Sequence, residues 1–129
     1  DGTTNEGLAS LFPASEMFIS DRAVSVKQLD EIWPSLGLDR VDIIKLDIEG
    51  AEWSALLGGQ QLLSRYKPVL LVEIGRSTCT AAGYRAEDFA QWIEDQGYQL
   101  FMIKDGGRQQ EVSAEAMGDF QNLLALPRQ

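Results

Sequence analysis

Apolar residues change their spacing within one stretch, residues 41–57, and this change predicts the centre of the fold. The first eight positions form a nearly continuous apolar run rich in β-branched side chains, as in a strand buried on both faces. After Gly50 the spacing becomes helical, because Trp53, Leu56 and Leu57 fall at positions i, i+3 and i+4. A strand, a tight turn and a helix predict half of a βαβ unit.

Further elements are predicted on both sides of this unit. A helix is expected to begin at a capping box formed by Ser25 and Gln28, with Val24 in the accompanying hydrophobic staple, and to end at Pro34. A second apolar strand spans residues 69–74, and the intervening helix predicts that it runs parallel to the first strand. The remaining predictions are a helix at 86–96, strands at 98–103 and 120–126, a turn at 105–107, and irregular segments at 76–85 and 109–118.

Apart from Asp42 at the beginning of the first strand, charged side chains enter the two central strands only at or near their carboxyl ends. Because side chains alternate across a strand, Lys45, Asp47 and Glu49 should project to one side, and Glu52 follows in the first helical turn. Glu73 is the only charge in the second strand. Open parallel sheets bind ligands at the carboxyl ends of their strands. We therefore expect Asp47, Glu49 and Glu73 to line one cleft at this edge.

Two interpretations of these side chains remain open. Clustered charges can move the pKa of a carboxylate or a lysine toward neutrality, and such a group could act as a base. The set of Asp47, Glu49 and Glu52 would also suit Mg²⁺ or Ca²⁺. Alternatively, the carboxylates cap the following helix and Lys45 pairs with one of them. The position of Asp47 at the end of an apolar strand favours a functional role.

Composition narrows the classes of function. The chain has 129 residues, with 11 basic against 20 acidic side chains and a net charge of −9, which argues against nucleic acid or an anionic membrane as partner. It has no histidine and one cysteine, Cys79, which excludes ordinary zinc sites and histidine-dependent triads. A lone cysteine also predicts a reducing cytoplasm. No apolar run reaches the roughly 20 residues that span a bilayer.

Two segments, KLDIEGAE at residues 45–52 and LLGGQQLLSRYKPVLLVEI at residues 56–74, resemble the C-terminal half of the FkbM-type family of S-adenosylmethionine-dependent methyltransferases. The resemblance implies an α/β, Rossmann-like fold of the class I methyltransferase type, with a mostly parallel sheet and flanking helices. It also implies S-adenosylmethionine as cofactor and methyl transfer to a hydroxyl of a small molecule or sugar. Within that activity we assign catalysis to Asp47, Lys45 and Glu73, and cofactor contacts to Asp47 and Glu49.

The glycine-rich turn that holds the cofactor in this fold has no counterpart in the sequence. Gly58-Gly59 follows a helix and Gly106-Gly107 lies in a predicted hairpin, whereas a nucleotide-type turn follows a strand and opens a helix. We therefore expect residues 23–129 to be the C-terminal half of the domain, with about four strands, behind an irregular arm at residues 1–22. The isolated chain should be inactive or weakly active. A non-catalytic α/β binding module and an acid-cluster metal-binding domain are the alternatives.

The missing half would affect the strand at residues 41–48. In the family's fold this strand lies in the interior of the sheet, so without its neighbour it becomes an edge with unpaired backbone groups and an apolar surface. Such edges pair with other chains, and large apolar patches are rare on soluble monomers. We expect the isolated chain to self-associate through this edge, or the N-terminal arm to fold over it.

Overall fold

The computed structural model describes Leu11 and residues 25–129, which form a mixed α/β fold around one five-stranded sheet. The strands are β1 (Ile43–Leu46), β2 (Val69–Gly75), β3 (Tyr98–Ile103), β4 (Gln109–Val112) and β5 (Phe120–Pro127). The helices are α1 (Leu29–Ile32), α2 (Glu52–Leu57), α3 (Gln60–Tyr66), α4 (Arg76–Ala81) and α5 (Ala86–Asp95). Short 3₁₀ turns occur at Trp33–Leu36, Asp105–Gly107 and Ala114–Ala116.

The sheet has the order β1-β2-β5-β3-β4. β1 and β2 are parallel, as their connection predicts, but the β2–β5, β5–β3 and β3–β4 pairings are antiparallel. The prediction of a mostly parallel sheet is therefore wrong, because β5 inserts between β2 and β3 and the predicted turn at Asp105–Gly107 reverses the chain into β4. Since β5 is antiparallel to both of its neighbours, β1, β2 and β3 all run in one direction. Their carboxyl ends therefore share one edge of the sheet.

The buried core lies on one face of this sheet. Along β2, Leu70, Val72 and Ile74 are buried, while Val69 and Leu71 between them are only partly buried. The buried side chains pack against residues of α2, α3, α4 and α5. The other face is not fully buried by any described element, so the expectation of strands buried on both faces is wrong within residues 25–129.

The short helix α2 contributes its inner face to the core. Leu56 is fully buried, and Trp53 packs against the rings of Tyr84 and Phe89 at centroid distances of 5.2 and 5.6 Å. Leu57, in contrast, is 47% exposed. Its predicted burial is wrong because the buried residues of α2 are Glu52 and Leu56, and Leu57 lies about 100° around the helix from Leu56.

Truncating Leu56 to alanine should lower the free energy of unfolding by about 2–5 kcal/mol, because it leaves a cavity in a fully buried site. The adjacent Leu57→Ala is the matched control, since it removes the same atoms from an exposed position. Denaturant unfolding of the two variants gives the comparison. Equal losses of stability would show that the inner face of α2 is wrongly assigned.

Two local predictions fail near the helices. The capping box is not formed, because α1 begins after Gln28 without a side-chain cap and Ser25 is exposed. The segment expected to be irregular contains α4, whose residue Cys79 is buried in the core. Pro34 also fails to end the helical path, because it stands in the first turn of a 3₁₀ segment, a position that needs no backbone N–H.

Some sequence predictions lie outside the described residues. These are the staple residue Val24 and, apart from the exposed Leu11, the arm at residues 1–22. The prediction of about four strands is corrected to five, because residues expected to be irregular form β4. None of the helices in the described part of the chain is long and apolar enough to cross a membrane.

Candidate active site

A strained turn connects β1 to α2 at the carboxyl edge of the sheet. Glu49 has a φ of 53° and Gly50 a φ of 105°, a region that side-chain-bearing residues seldom adopt. A Cβ atom on Gly50 would lie 2.7 Å from the backbone oxygen of Thr78, so only glycine fits. The Tyr84 hydroxyl donates a hydrogen bond of 3.0 Å to the Gly50 carbonyl and fixes the turn from the other side.

Glu52 braces this turn from within. Its side chain is buried, and its two carboxylate oxygens accept hydrogen bonds of 2.9 Å from the backbone N–H groups of Ile48 and Gly50. A carboxylate at the start of a helix also complements the positive end of the helix dipole. The carboxylate of Glu52 therefore holds the backbone of the turn. It does not cap α2, because Ile48 and Gly50 precede the helix and its N-cap residue, Ala51, makes no side-chain hydrogen bond.

Three other carboxylates converge at the ends of β1 and β2. One oxygen from each of Asp47, Glu49 and Glu73 lies within 4.8 Å of the others. The parallel register pairs Leu46 with Val72, so the next residues along each strand are Asp47 and Glu73. The prediction that these three residues meet at one edge is confirmed. We call these three residues the acid cluster.

Among the ion pairs that the described residues form, the one that involves the acid cluster joins Lys45 to Asp47. Nζ of Lys45 lies 3.6 Å from Oδ2 of Asp47, and the two side chains are 66% and 42% exposed. An exposed pair of this kind contributes little to stability. It offsets one of three negative charges, so the edge of the sheet remains negative.

Burial is the main cause that raises the pKa of Glu73 above its ordinary value, and the charges of Asp47 and Glu49 raise it further. Lys45 acts in the opposite direction, and Glu52 adds a smaller increase. Glu73 therefore holds its proton to a higher pH than an ordinary glutamate. Because the pKa is raised in the folded state, the associated stability is present at low pH and is lost as the pH rises through that pKa.

Asp47→Asn should lower the pKa of Glu73, because the substitution removes one of the negative charges that raise it. NMR titration of the Glu73 side-chain carboxyl carbon measures the shift directly. The matched control is Asp42→Asn, which removes the same charge from an exposed site beyond the amino end of β1. A Glu73 pKa that responds equally to both substitutions would contradict a local cluster.

Residues 2–100 of the chain match the family model of the methyltransferase FkbM domain. The chain belongs to this family. The matched region includes β1, the braced turn, α2 and β2, and so contains every residue of the acid cluster. Membership implies a methyl donor and places the cluster in a methyltransferase domain.

A curated relative of this FkbM domain is much longer. The AMB antimetabolite synthetase AmbE of Pseudomonas aeruginosa is 27% identical over 81 residues, which cover 62% of this chain and 4% of that protein. The chain thus corresponds to a small segment of this relative. No solved structure matches the chain.

S-adenosylmethionine, the methyl donor that the resemblance implies, fits this edge in part. Its sulfonium is cationic, and the acid cluster supplies complementary negative charge. The rest of such a molecule requires a glycine-rich turn between a strand and a helix. Within residues 25–129, Gly58-Gly59 lies between α2 and α3, and Gly106-Gly107 lies in the β3–β4 hairpin. The residues of the acid cluster would therefore hold the cationic end of the donor but not the rest of the molecule.

The spacing of the acid cluster would also suit a divalent cation bound by oxygen ligands. The third ligand in that case would be Glu73, since Glu52 is already occupied by the backbone. The metal site predicted from the sequence used Asp47, Glu49 and Glu52, whereas the structure would allow Asp47, Glu49 and Glu73.

Arg76, immediately after β2, is a residue for which the sequence carries no functional signal. Its guanidinium contacts Glu87 at 2.7 Å and Asp119 at 3.3 Å, and donates to the Met117 carbonyl. The hydrogen bond from Arg76 holds the pKa of Glu87 below its ordinary value. Met117 is 41 residues from Arg76, and the pairing of β5 with β2, which joins Gly75 to Phe120, brings Met117 and Asp119 to this edge.

Proposed function

We propose that the chain forms the acceptor-side half of an S-adenosylmethionine-dependent O-methyltransferase in which Glu73 accepts the proton of the acceptor hydroxyl. The observation that carries this proposal is the convergence of Asp47, Glu49 and Glu73 at the carboxyl edge of an FkbM domain. The acceptor is a small molecule or sugar that presents a free hydroxyl.

The reaction requires a base and a correctly oriented acceptor. S-adenosylmethionine, when bound, supplies an electrophilic methyl group on a positively charged sulfur. The sulfur of the donor would keep the electron pair of the carbon–sulfur bond as the methyl group passes to the acceptor oxygen. Glu73, in its ionised form, takes the hydroxyl proton. Asp47 and Glu49 keep the edge negative, which favours the cationic sulfur and raises the proton affinity of Glu73.

Three features support the half-domain part of the proposal. β1 lies at the edge of the sheet formed by the described residues. On the sheet face opposite the helices, Ile43 is 65% exposed and Leu71 is partly buried. The comparable segment of AmbE lies within a far longer protein. We propose that the glycine-rich turn and the cover of this face come from outside residues 25–129.

The full-length gene product, incubated with S-adenosylmethionine and a panel of hydroxyl compounds, tests the function. We expect one acceptor to gain one methyl group for each S-adenosylhomocysteine formed, as measured by mass spectrometry. Residues 1–129 alone should show far lower turnover. Equal turnover by both proteins would contradict the half-domain proposal, and an absence of S-adenosylhomocysteine with every acceptor would contradict the methyltransferase proposal.

Residues 1–129 expressed alone should self-associate through β1, because this strand has a neighbour on one side only and its Ile43 is 65% exposed. Ile43→Lys should shift the chain toward monomer by placing a charge on the edge. Leu38→Lys is the control, since Leu38 is also exposed but lies outside the strand. Light scattering measures the mass. A wild-type monomer, or equal dissociation by both variants, would count against association through β1.

A further inference from the structure

An open pocket of about 690 Å³ lies between the turn that joins β3 to β4 and the beginning of β5. Its lining combines two cationic side chains, amides, an aromatic ring and one carboxylate, Asp105. Those that carry the argument are Lys104, Arg108, Gln109, Phe120 and Asn122.

The pocket adjoins the acid cluster. Asn122 of β5 is paired with Glu73 on one side and with Ile103 of β3 on the other. Paired residues project to the same face of a sheet, and neighbouring strands lie about 4.8 Å apart. Asn122 is therefore one strand away from Glu73, and the cationic turn after Ile103 is two strands away. A bound molecule can reach from the turn to the acid cluster along this row.

The two cations of the pocket form no ion pair within the described residues. Lys104 and Arg108 are exposed, and Asp105, the carboxylate of the lining, pairs with neither of them. Five other basic side chains of the described residues pair with carboxylates, whereas Lys27, Arg65 and Lys67 also do not. What distinguishes Lys104 and Arg108 is that both line one pocket, where unpaired cations can bind an anionic group.

We propose that this pocket binds the methyl acceptor and that the acceptor carries a carboxylate or phosphate held by Lys104 and Arg108. This inference rests on the proposed function. The acid cluster repels an anion, so the anionic group is directed to the turn and the far hydroxyl faces Glu73. The amides of Asn122 and of Gln109, which pairs with Ile103 on the same face, can bond further hydroxyls. The ring of Phe120, 62% exposed, offers an apolar surface to the carbon skeleton.

Gln121 forms part of the pocket wall, and its polar atoms bond to the protein backbone rather than to a ligand. Its side chain is buried, with its oxygen accepting from the Gly118 N–H at 2.8 Å and its amide donating to the Ile74 carbonyl at 3.2 Å. It therefore fixes the first residues of β5 and positions Phe120 and Asn122.

NMR titration of residues 1–129 with sugars that differ in charge tests the proposal. The probes are glucuronate, glucose 6-phosphate and the neutral methyl glucoside, all at one ionic strength. We expect the anionic sugars to shift amide signals in residues 102–110 and 120–122 and to bind at least about tenfold more tightly than the neutral sugar. The tighter of the two anions identifies the preferred group.

Arg108→Ala should weaken binding of the preferred anion about tenfold, and Arg108→Lys should weaken it less. The control is Arg65→Ala, which removes an exposed cation outside the pocket and should leave the affinity unchanged. Equal affinity for charged and neutral sugars, or equal effects of Arg108→Ala and Arg65→Ala, would overturn the proposal.

Methyl transfer by the full-length gene product separates this inference from the function on which it rests. If anions bind in the pocket but no acceptor is methylated, the proposed function is contradicted and the anion site is supported. If neutral and anionic acceptors are methylated with the same KM, the proposed function is supported and the anion site is contradicted.

Discussion

Glu73→Gln in the full-length protein is expected to lower the rate of methyl transfer by about 10²–10⁴-fold, the usual contribution of a positioned general base. The substitution keeps the size of the side chain and removes its capacity to take a proton. The chain has no histidine, and the pKa of Glu73 is raised by burial and by the charges of Asp47 and Glu49, as suits a base. The loss should appear in kcat, while binding of the methyl donor changes little.

The matched control for this prediction is Glu111→Gln. Glu111 lies on β4, is exposed, and forms a hydrogen bond of 2.6 Å with Gln99 on the same face of the sheet as Glu73. The Glu111→Gln variant should transfer methyl groups at a rate within about twofold of the original protein, a change of less than about 0.5 kcal/mol in activation free energy. If the Glu73→Gln enzyme had the same rate as the Glu111→Gln control, Glu73 would not be the catalytic base.

Glu52→Ala is expected to lower the free energy of unfolding by about 3–6 kcal/mol. Each of its two hydrogen bonds joins a charged acceptor to a backbone N–H, and such bonds contribute about 1.5–3 kcal/mol each. The substitution leaves the N–H groups of Ile48 and Gly50 without their acceptors in a buried turn. Since domains of this size have about 5–15 kcal/mol in total, the loss approaches unfolding.

Two further variants make the Glu52 prediction specific. Glu52→Gln keeps one carbonyl acceptor and should lose only part of the stability. Glu115→Ala removes an exposed glutamate from the 3₁₀ turn before β5 and should stay within about 0.5 kcal/mol of the original chain. Chemical denaturation compares them. A Glu52→Ala protein as stable as the Glu115→Ala protein would show that the turn is held by other contacts.

The sequence was sufficient to predict the centre of the fold and the position of the acid cluster. The change of apolar spacing around Gly50 predicts the β1–turn–α2 unit, and the charges at the strand ends predict the meeting of Asp47, Glu49 and Glu73. Both predictions depend on local patterns and on one parallel pairing. The role of Glu52 was left open, because a helix-capping carboxylate and a ligand have the same sequence position.

The rest of the site depends on contacts between distant segments. The pattern of residues 120–126 predicts a strand but does not specify that it enters the sheet between β2 and β3. That insertion brings Asn122 beside Glu73 and makes two of the pairings antiparallel. The hairpin cations Lys104 and Arg108 likewise lie in a segment that gave only a turn signal. Leu57 was misassigned because apolar spacing alone did not reveal that the buried face of α2 includes the charged residue Glu52.

The pH dependence of methyl transfer, measured together with the pKa of Glu73 in the same full-length protein, tests the central claim most directly. The rate should rise with pH through the Glu73 pKa, because the carboxyl must be ionised to accept the hydroxyl proton. Asp47→Asn should lower this pKa and move the rising limb of the rate profile down by the same amount. A profile that stays in place while the NMR titration of Glu73 shifts would contradict the assignment of Glu73 as the base.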